Sequence, residues 1–180
     1  MNSTWSSSRS NIFTIRRITT LAMLIALCVV ARMTFTFIPN VQPITTIFLL
    51  VALHFSVIDS LIVANATMIV TGLYLGMGPW VLGQMIAYTA VILTFWLLTR
   101  VHFLKNLIGL SILALFSGFF YGFVISIYYV QLFQIASFTA YYLAGVSMDV
   151  MHALGNVGFM ILLIKPFEIF ALQIKKKKQK

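Results

Sequence analysis

Apolar residues run through this chain in long blocks separated by short polar breaks, and the block lengths predict helices that cross a membrane. A span needs about 20 mainly apolar residues to cover about 30 Å of hydrocarbon. The first block, 12–38, ends at Pro39-Asn40-Val41-Gln42-Pro43. The next, 44–75, is too long for one span and short for two. It reads as two compact helices, 44–57 and 59–75, turning near Asp59, which is expected to cap the second. After Gly76-Met77-Gly78-Pro79, with Pro79 suited to a first helical turn, a fourth span covers 80–99 and a fifth 107–129. A more polar connection, 131–139, leads to a sixth at 141–164, which Pro166 is expected to end or kink. The tail, 165–180, carries Phe167, Ile169, Phe170 and Leu172, so part of it is expected to lie along the membrane surface. The predicted fold class is all-α: one membrane domain over 1–180, a bundle of six transmembrane helices.

Composition agrees with that pattern. Only 8% of the 180 residues are charged, 61% are hydrophobic, and the mean hydropathy is +1.03. Soluble domains carry about a quarter of their residues charged, so lipid is the expected solvent for most of this chain. The net charge of +9 could suggest nucleic acid, but its placement argues against that partner. Arg9, Arg16 and Arg17 precede the first block, and Arg100 and Lys105 flank the central break. Lys165, Lys175, Lys176, Lys177, Lys178 and Lys180 follow or close the last block. A nucleic-acid reader spreads such residues over a folded face; here they sit at boundaries, where they suit an anionic leaflet. With both termini inside and six crossings, only Arg32 of the 12 Lys and Arg falls elsewhere. The expected orientation by the positive-inside rule is therefore N-in, C-in. The basic start followed by an apolar run has the outline of a signal peptide. Ala31-Arg32-Met33 offers no small-x-small cleavage site, so the segment is expected to stay as a helix. Cys28, the single cysteine, rules out an intrachain disulfide.

Candidate chemistry is sparse. Ala22 and Ala26 put two small residues one turn apart, which suits close helix docking; alanine is also simply common in membrane helices. Arg32 is either a ligand or counter-ion contact or a side chain snorkelling to headgroups. Asp149, His152 and Asn156 share one helix face. They fit a polar lining or a helix–helix hydrogen bond better than a metal site, for which the ligands are too few. An intramembrane acid–base enzyme using Asp149 and His152 remains an alternative. Glu168 reads as solvated. Asn40, Gln42, Tyr74, Trp80, Gln84, Tyr128, Tyr129, Gln131, Gln134, Tyr141 and Tyr142 gather at the expected outer loops. Interfacial aromatic belts explain the rings but not the amides. Neutral hydrogen-bonding groups among aromatics are what a pocket for an organic solute presents.

Three segments together carry a resemblance: Ala22-x-x-x-Ala26, Pro39-Asn-Val-Gln-Pro-Ile-Thr45 and Gly76-Met-Gly-Pro-Trp-x-x-Gly-Gln84. The chain resembles the substrate-binding S-components of energy-coupling factor vitamin transporters, most of all the cobalamin-type members. One departure is Thr71-Gly72, where related sequences often carry Ser-Asn. The resemblance implies a non-catalytic subunit that captures a vitamin outside. It would work with a transmembrane coupling protein and two ATPases, toppling in the membrane to deliver its cargo. Ala22 and Ala26 would form the docking face. The ligand-binding residues expected are Arg32, Asn40, Gln42, Tyr74, Trp80, Gln84, Tyr128, Gln131, Tyr142, Asp149 and Asn156. Pantothenate and riboflavin are alternative cargoes, and a small channel subunit is an alternative class, disfavoured by outer loops without charge. No Gly-rich phosphate loop with a Lys is present, so ATP hydrolysis would fall to the partners, and no cofactor or metal is expected.

Overall fold

The computed structural model describes residues 14–176; the expected start of the first span at Ile12, Arg9, and Lys177, Lys178 and Lys180 lie outside them. The described residues form helices α1 (Ile15–Thr34), α2 (Ile44–His54), α3 (Val57–Leu75), α4 (Pro79–Leu98), α5 (Leu107–Leu132) and α6 (Phe138–Lys176). A one-turn 3-10 helix, His102–Lys105, precedes α5. Five of the helices are long and apolar enough to cross a membrane; α2 is the shorter one. Large apolar side chains remain exposed along them, Leu73 at 69%, Ile108 at 73% and Leu162 at 68% among them. Water would penalise such a surface and hydrocarbon would not, so the chain is compatible with a multi-pass membrane protein.

The first helix ends at Thr34 rather than 38, the fifth runs on to Leu132 rather than 129, the sixth begins at Phe138 rather than 141, and three further expectations need correction. First, α2 ends at His54 rather than 57, because Phe55 leaves helical backbone (φ −111°, ψ −93°). Its 11 residues rise only about 16 Å. It sits in the middle of the bundle, buried from Ile44 to Ala52. Second, Ser56, not Asp59, caps α3: its hydroxyl accepts the Asp59 backbone N–H at 3.0 Å. Asp59 lies in the first turn, where its charge favours the helix dipole, and takes the Arg17 guanidinium of α1 at 2.7 Å. Third, Pro166 does not end α6, which stays helical to Lys176. The buried Phe167 and Ala171 hold this extension against the core, and Phe167 and Phe170 both ring-pack with Phe55. Tertiary packing offsets the backbone N–H that proline removes. Glu168, expected to be solvated, pairs with Lys165 at 3.3 Å on an open face.

Neighbouring helices alternate in direction. Tyr88 meets Tyr121 while Gly83 meets Tyr128, so α4 and α5 run antiparallel. Gly118 faces Ala153 and Gly122 faces Asp149, so α5 and α6 do likewise. On the other side, Arg17 meets Asp59 and Arg32 meets Met68, which makes α1 parallel to α3. The start of α1, the 55–56 break, the α4–α5 connection and the end of α6 thus share one end of the bundle. Arg16, Arg17, Arg100, Lys105, Lys165, Lys175 and Lys176 are there. At the other end lie 35–43, 76–78 and 133–137, and Arg32 is the one described Lys or Arg towards it.

The Arg17–Asp59 pair ties α1 to the bundle and is partly buried, at 28% and 13% side-chain exposure. Asp59→Asn should cost about 1 kcal/mol, more than a solvent-exposed pair would and less than a fully buried one. Thermal unfolding in detergent checks this, and the loss should shrink in high salt.

Candidate functional site

The chemistry-bearing residues converge at the end away from the lysines. α1 delivers Arg32 in its last turn, and the loop after it supplies Asn40 and Gln42. Asn40 takes left-handed backbone (φ 57°), which Asn tolerates better than most residues, and its side-chain amide donates to the Met148 carbonyl at 3.1 Å. That bond fastens the loop to α6. Arg32 turns inward: Nη2 donates to Gln84 Oε1 at 3.1 Å and Nη1 approaches Met68 Sδ at 2.7 Å. Of the two expectations for Arg32, a ligand or counter-ion contact and snorkelling to headgroups, the inward geometry departs from the second.

These groups border a small cavity of about 60 Å³, lined by Arg32, Asn40, Gln42, Gln84, Tyr88, Tyr121 and His152. A larger one of about 460 Å³ shares Asn40, Gln84 and Tyr121 with it. Its further walls are Tyr129, Tyr141, Met148 and Asp149, with small residues Gly122, Ser126, Ala144 and Gly145 leaving the space. Gly122 leaves room for Asp149: with a Cβ there, the carboxylate would have to turn aside.

The wall between the lobes is an ordered aromatic stack. Tyr88 and Tyr121 lie 4.6 Å apart between centroids, and Tyr121 meets the His152 ring edge-on at 5.0 Å. His152 Nε2 shares a 2.8 Å hydrogen bond with Thr45 Oγ1 of α2. Its Nδ1 is buried without a partner in the structure. Asp149, 6% exposed, makes no hydrogen bond or ion pair among the described residues. Among those residues no three His, Cys, Asp or Glu side chains come together as a metal-binding group would need.

Of the expected ligand-binding residues, Arg32, Asn40, Gln42, Gln84 and Asp149 thus gather at the cavities. The others do not. Tyr74 points away at 78% exposure, and Trp80 is exposed and covers Gly78. Tyr128 is spent on structure: its hydroxyl donates to the Pro79 carbonyl at 2.8 Å and its ring covers Gly83. Gln131 is exposed at the end of α5. Tyr142 stacks with Phe138 and meets Phe123 edge-on. Asn156 is fully buried and ties helices together, its side-chain amide donating to the Ala114 carbonyl at 3.4 Å while its backbone carbonyl accepts from the Thr46 hydroxyl. Thr71 bonds back to Thr67 and Gly72 packs on Val81, so the Thr71-Gly72 departure belongs to the α3–α4 crossing and not to the cavity. Tyr88 and Tyr121 were not expected. A signal for the second existed: Tyr121, Ile125 and Tyr129 recur every four residues, with Gly122 and Ser126 beside them.

The chain matches no known family, no curated protein and no solved structure.

Proposed function

We propose that this chain is the substrate-binding subunit of a membrane importer, capturing a small organic solute and relying on partner ATPases for energy. The observation that carries the reading is the pair of neighbouring cavities, lined by amides, tyrosines, Arg32, His152 and Asp149, within an apolar bundle. About 460 Å³ falls within the roughly 300–1,000 Å³ usual for small-ligand pockets. That size favours a pantothenate- or riboflavin-sized solute; cobalamin, the cargo suggested by the resemblance, would need the loops at 35–43 and 133–137 to part.

In this reading the lysine-rich end faces the cytoplasm with both termini, and the cavity opens outward. The chain works as an S-component of an energy-coupling factor transporter in a bacterial plasma membrane. Its partners are a transmembrane coupling protein and two ATPases, and it carries out no catalysis itself. The α1 face fits the docking role: Thr20, Leu24 and Cys28 point into the bundle, while Ala22, Met23, Ala26 and Leu27 are exposed on the opposite side. Small residues there let a partner helix approach closely.

Reconstitution with an energy-coupling module in proteoliposomes tests the reading through ATP-dependent uptake of labelled pantothenate, riboflavin and cobalamin. One vitamin should accumulate. Ala22→Trp and Ala26→Trp should abolish uptake while binding persists, whereas unchanged uptake in both would sink the docking assignment.

A further inference from the structure

Two opposite charges face the neighbouring cavities, and neither has a counter-ion among the described residues. Arg32 has five N–H donors; its polar contacts are one amide oxygen and one thioether sulfur, a poor acceptor. Asp149 is 6% exposed as a whole residue, and its side chain borders the larger lobe and makes no hydrogen bond or ion pair among the described residues. A lone buried ion in a membrane bundle is costly. A helix that needed only packing could carry leucine at 149. Instead α5 gives up a side chain at Gly122 to make room for the carboxylate. The two charges also do not neutralise each other, although both border space walled by Asn40, Gln84 and Tyr121. Gln84 further spends its one side-chain acceptor on Arg32, which leaves its amide N–H groups free for an incoming oxygen.

Resting on the solute-binding reading, we propose that the solute is amphoteric. It carries an anionic group, a carboxylate or phosphate, seated on Arg32 beside Gln84 and Asn40. It also carries a cationic or N–H-donating nitrogen that meets Asp149. Tyr121, placed at both lobes, holds the ring or chain between them, with Met148 and Ile125 supplying apolar contact. Bidentate guanidinium–oxyanion geometry fixes one end and the buried carboxylate the other. Such a site discriminates strongly, because a solute lacking either group leaves a buried charge unmatched.

Native mass spectrometry of the full chain in detergent tests this, with a defined mixture of water-soluble vitamins and a matched triad. The triad is tyramine phosphate, 4-ethylphenyl phosphate, which lacks the amine, and tyramine, which lacks the phosphate. The bound species should carry both an acid and a basic or N–H-donating nitrogen. Within the triad, the doubly functional member should outcompete each single one by about tenfold or more. Arg32→Gln should erase the preference for the phosphate alone, and Asp149→Asn the preference for the amine alone. Either variant could lose stability, so each preference is read as a ratio within one protein sample. Binding of a neutral or singly charged vitamin in preference to every amphoteric one would overturn the inference and leave the solute-binding reading standing. Binding of nothing in the mixture would overturn both.

Discussion

Gly118→Val should be the most damaging single substitution in the bundle, and its cause is backbone, not side chain. A Cβ at 118 would lie 2.5 Å from the Ala153 Cα and 2.6 Å from its backbone nitrogen. A flexible side chain could swing aside, but a helix backbone cannot. α5 and α6 form the most extensive helix pair of the fold, and small residues at such a crossing let helices exchange dispersion contacts that lipid cannot replace. Overpacking of this kind costs about 1–3 kcal/mol and more where the neighbour is rigid. One turn along the same crossing, Gly122 faces Asp149, so separating the helices also displaces a cavity wall. Thermal unfolding in detergent should show the loss. Gly158 has nothing within 4 Å of its Cβ position, so Gly158→Ala should be neutral or slightly stabilising, since alanine is about 1 kcal/mol the better helix former.

Tyr121→Ala should cripple the site. The ring borders both cavities, touches Tyr88 at 4.6 Å and His152 at 5.0 Å, and is 8% exposed. Truncating a large buried aromatic costs about 3–5 kcal/mol, discounted here because one side already faces open space. The Tyr88 and His152 rings would lose their shared neighbour, and the two lobes would merge. Solute affinity should fall by about a hundredfold, or roughly 2.7 kcal/mol. Tyr121→Phe keeps the ring and should keep most of the stability, so any binding it loses belongs to the hydroxyl. Titrations of the two variants side by side separate those contributions.

Much of the fold was legible because membrane helices advertise themselves by length and apolarity. α1, α3, α4 and α5 follow the apolar blocks between Pro39, Gly76 and the Arg100–Lys105 break. The missed features share one cause, packing that overrides local pattern. The α2–α3 break falls at Phe55-Ser56, a few residues before the turn expected near Asp59. Ser56 with Asp59 three residues on was nonetheless a readable helix start, of the Ser-x-x-acid type. Pro166 signals a helix end by its own chemistry, yet Phe167 and Ala171 reach the core and carry the helix past it.

The site divides the same way. Arg32, Gln84 and Asp149 stood out because polar groups are rare and expensive in apolar helices, and Asn40 and Gln42 because they are amides in the break between the first two apolar blocks. Tyr74, Trp80, Tyr128 and Tyr142 were grouped with them by nearness to the same loops, but loop proximity does not say which way a ring turns. Tyr88 was hidden for the opposite reason. In a helix whose neighbours are unknown, one buried tyrosine among Ala87, Val91 and Ile92 reads as core.

The most direct measurement is isothermal titration calorimetry of the purified chain against pantothenate, riboflavin, cobalamin and the tyramine phosphate triad. A solute-binding subunit with this cavity should take up one of them at one molecule per chain, with low-micromolar affinity or better, and lose it in Tyr121→Ala. No saturable heat with any of them, or binding that Tyr121→Ala leaves untouched, would contradict the assignment of the cavity as the solute site.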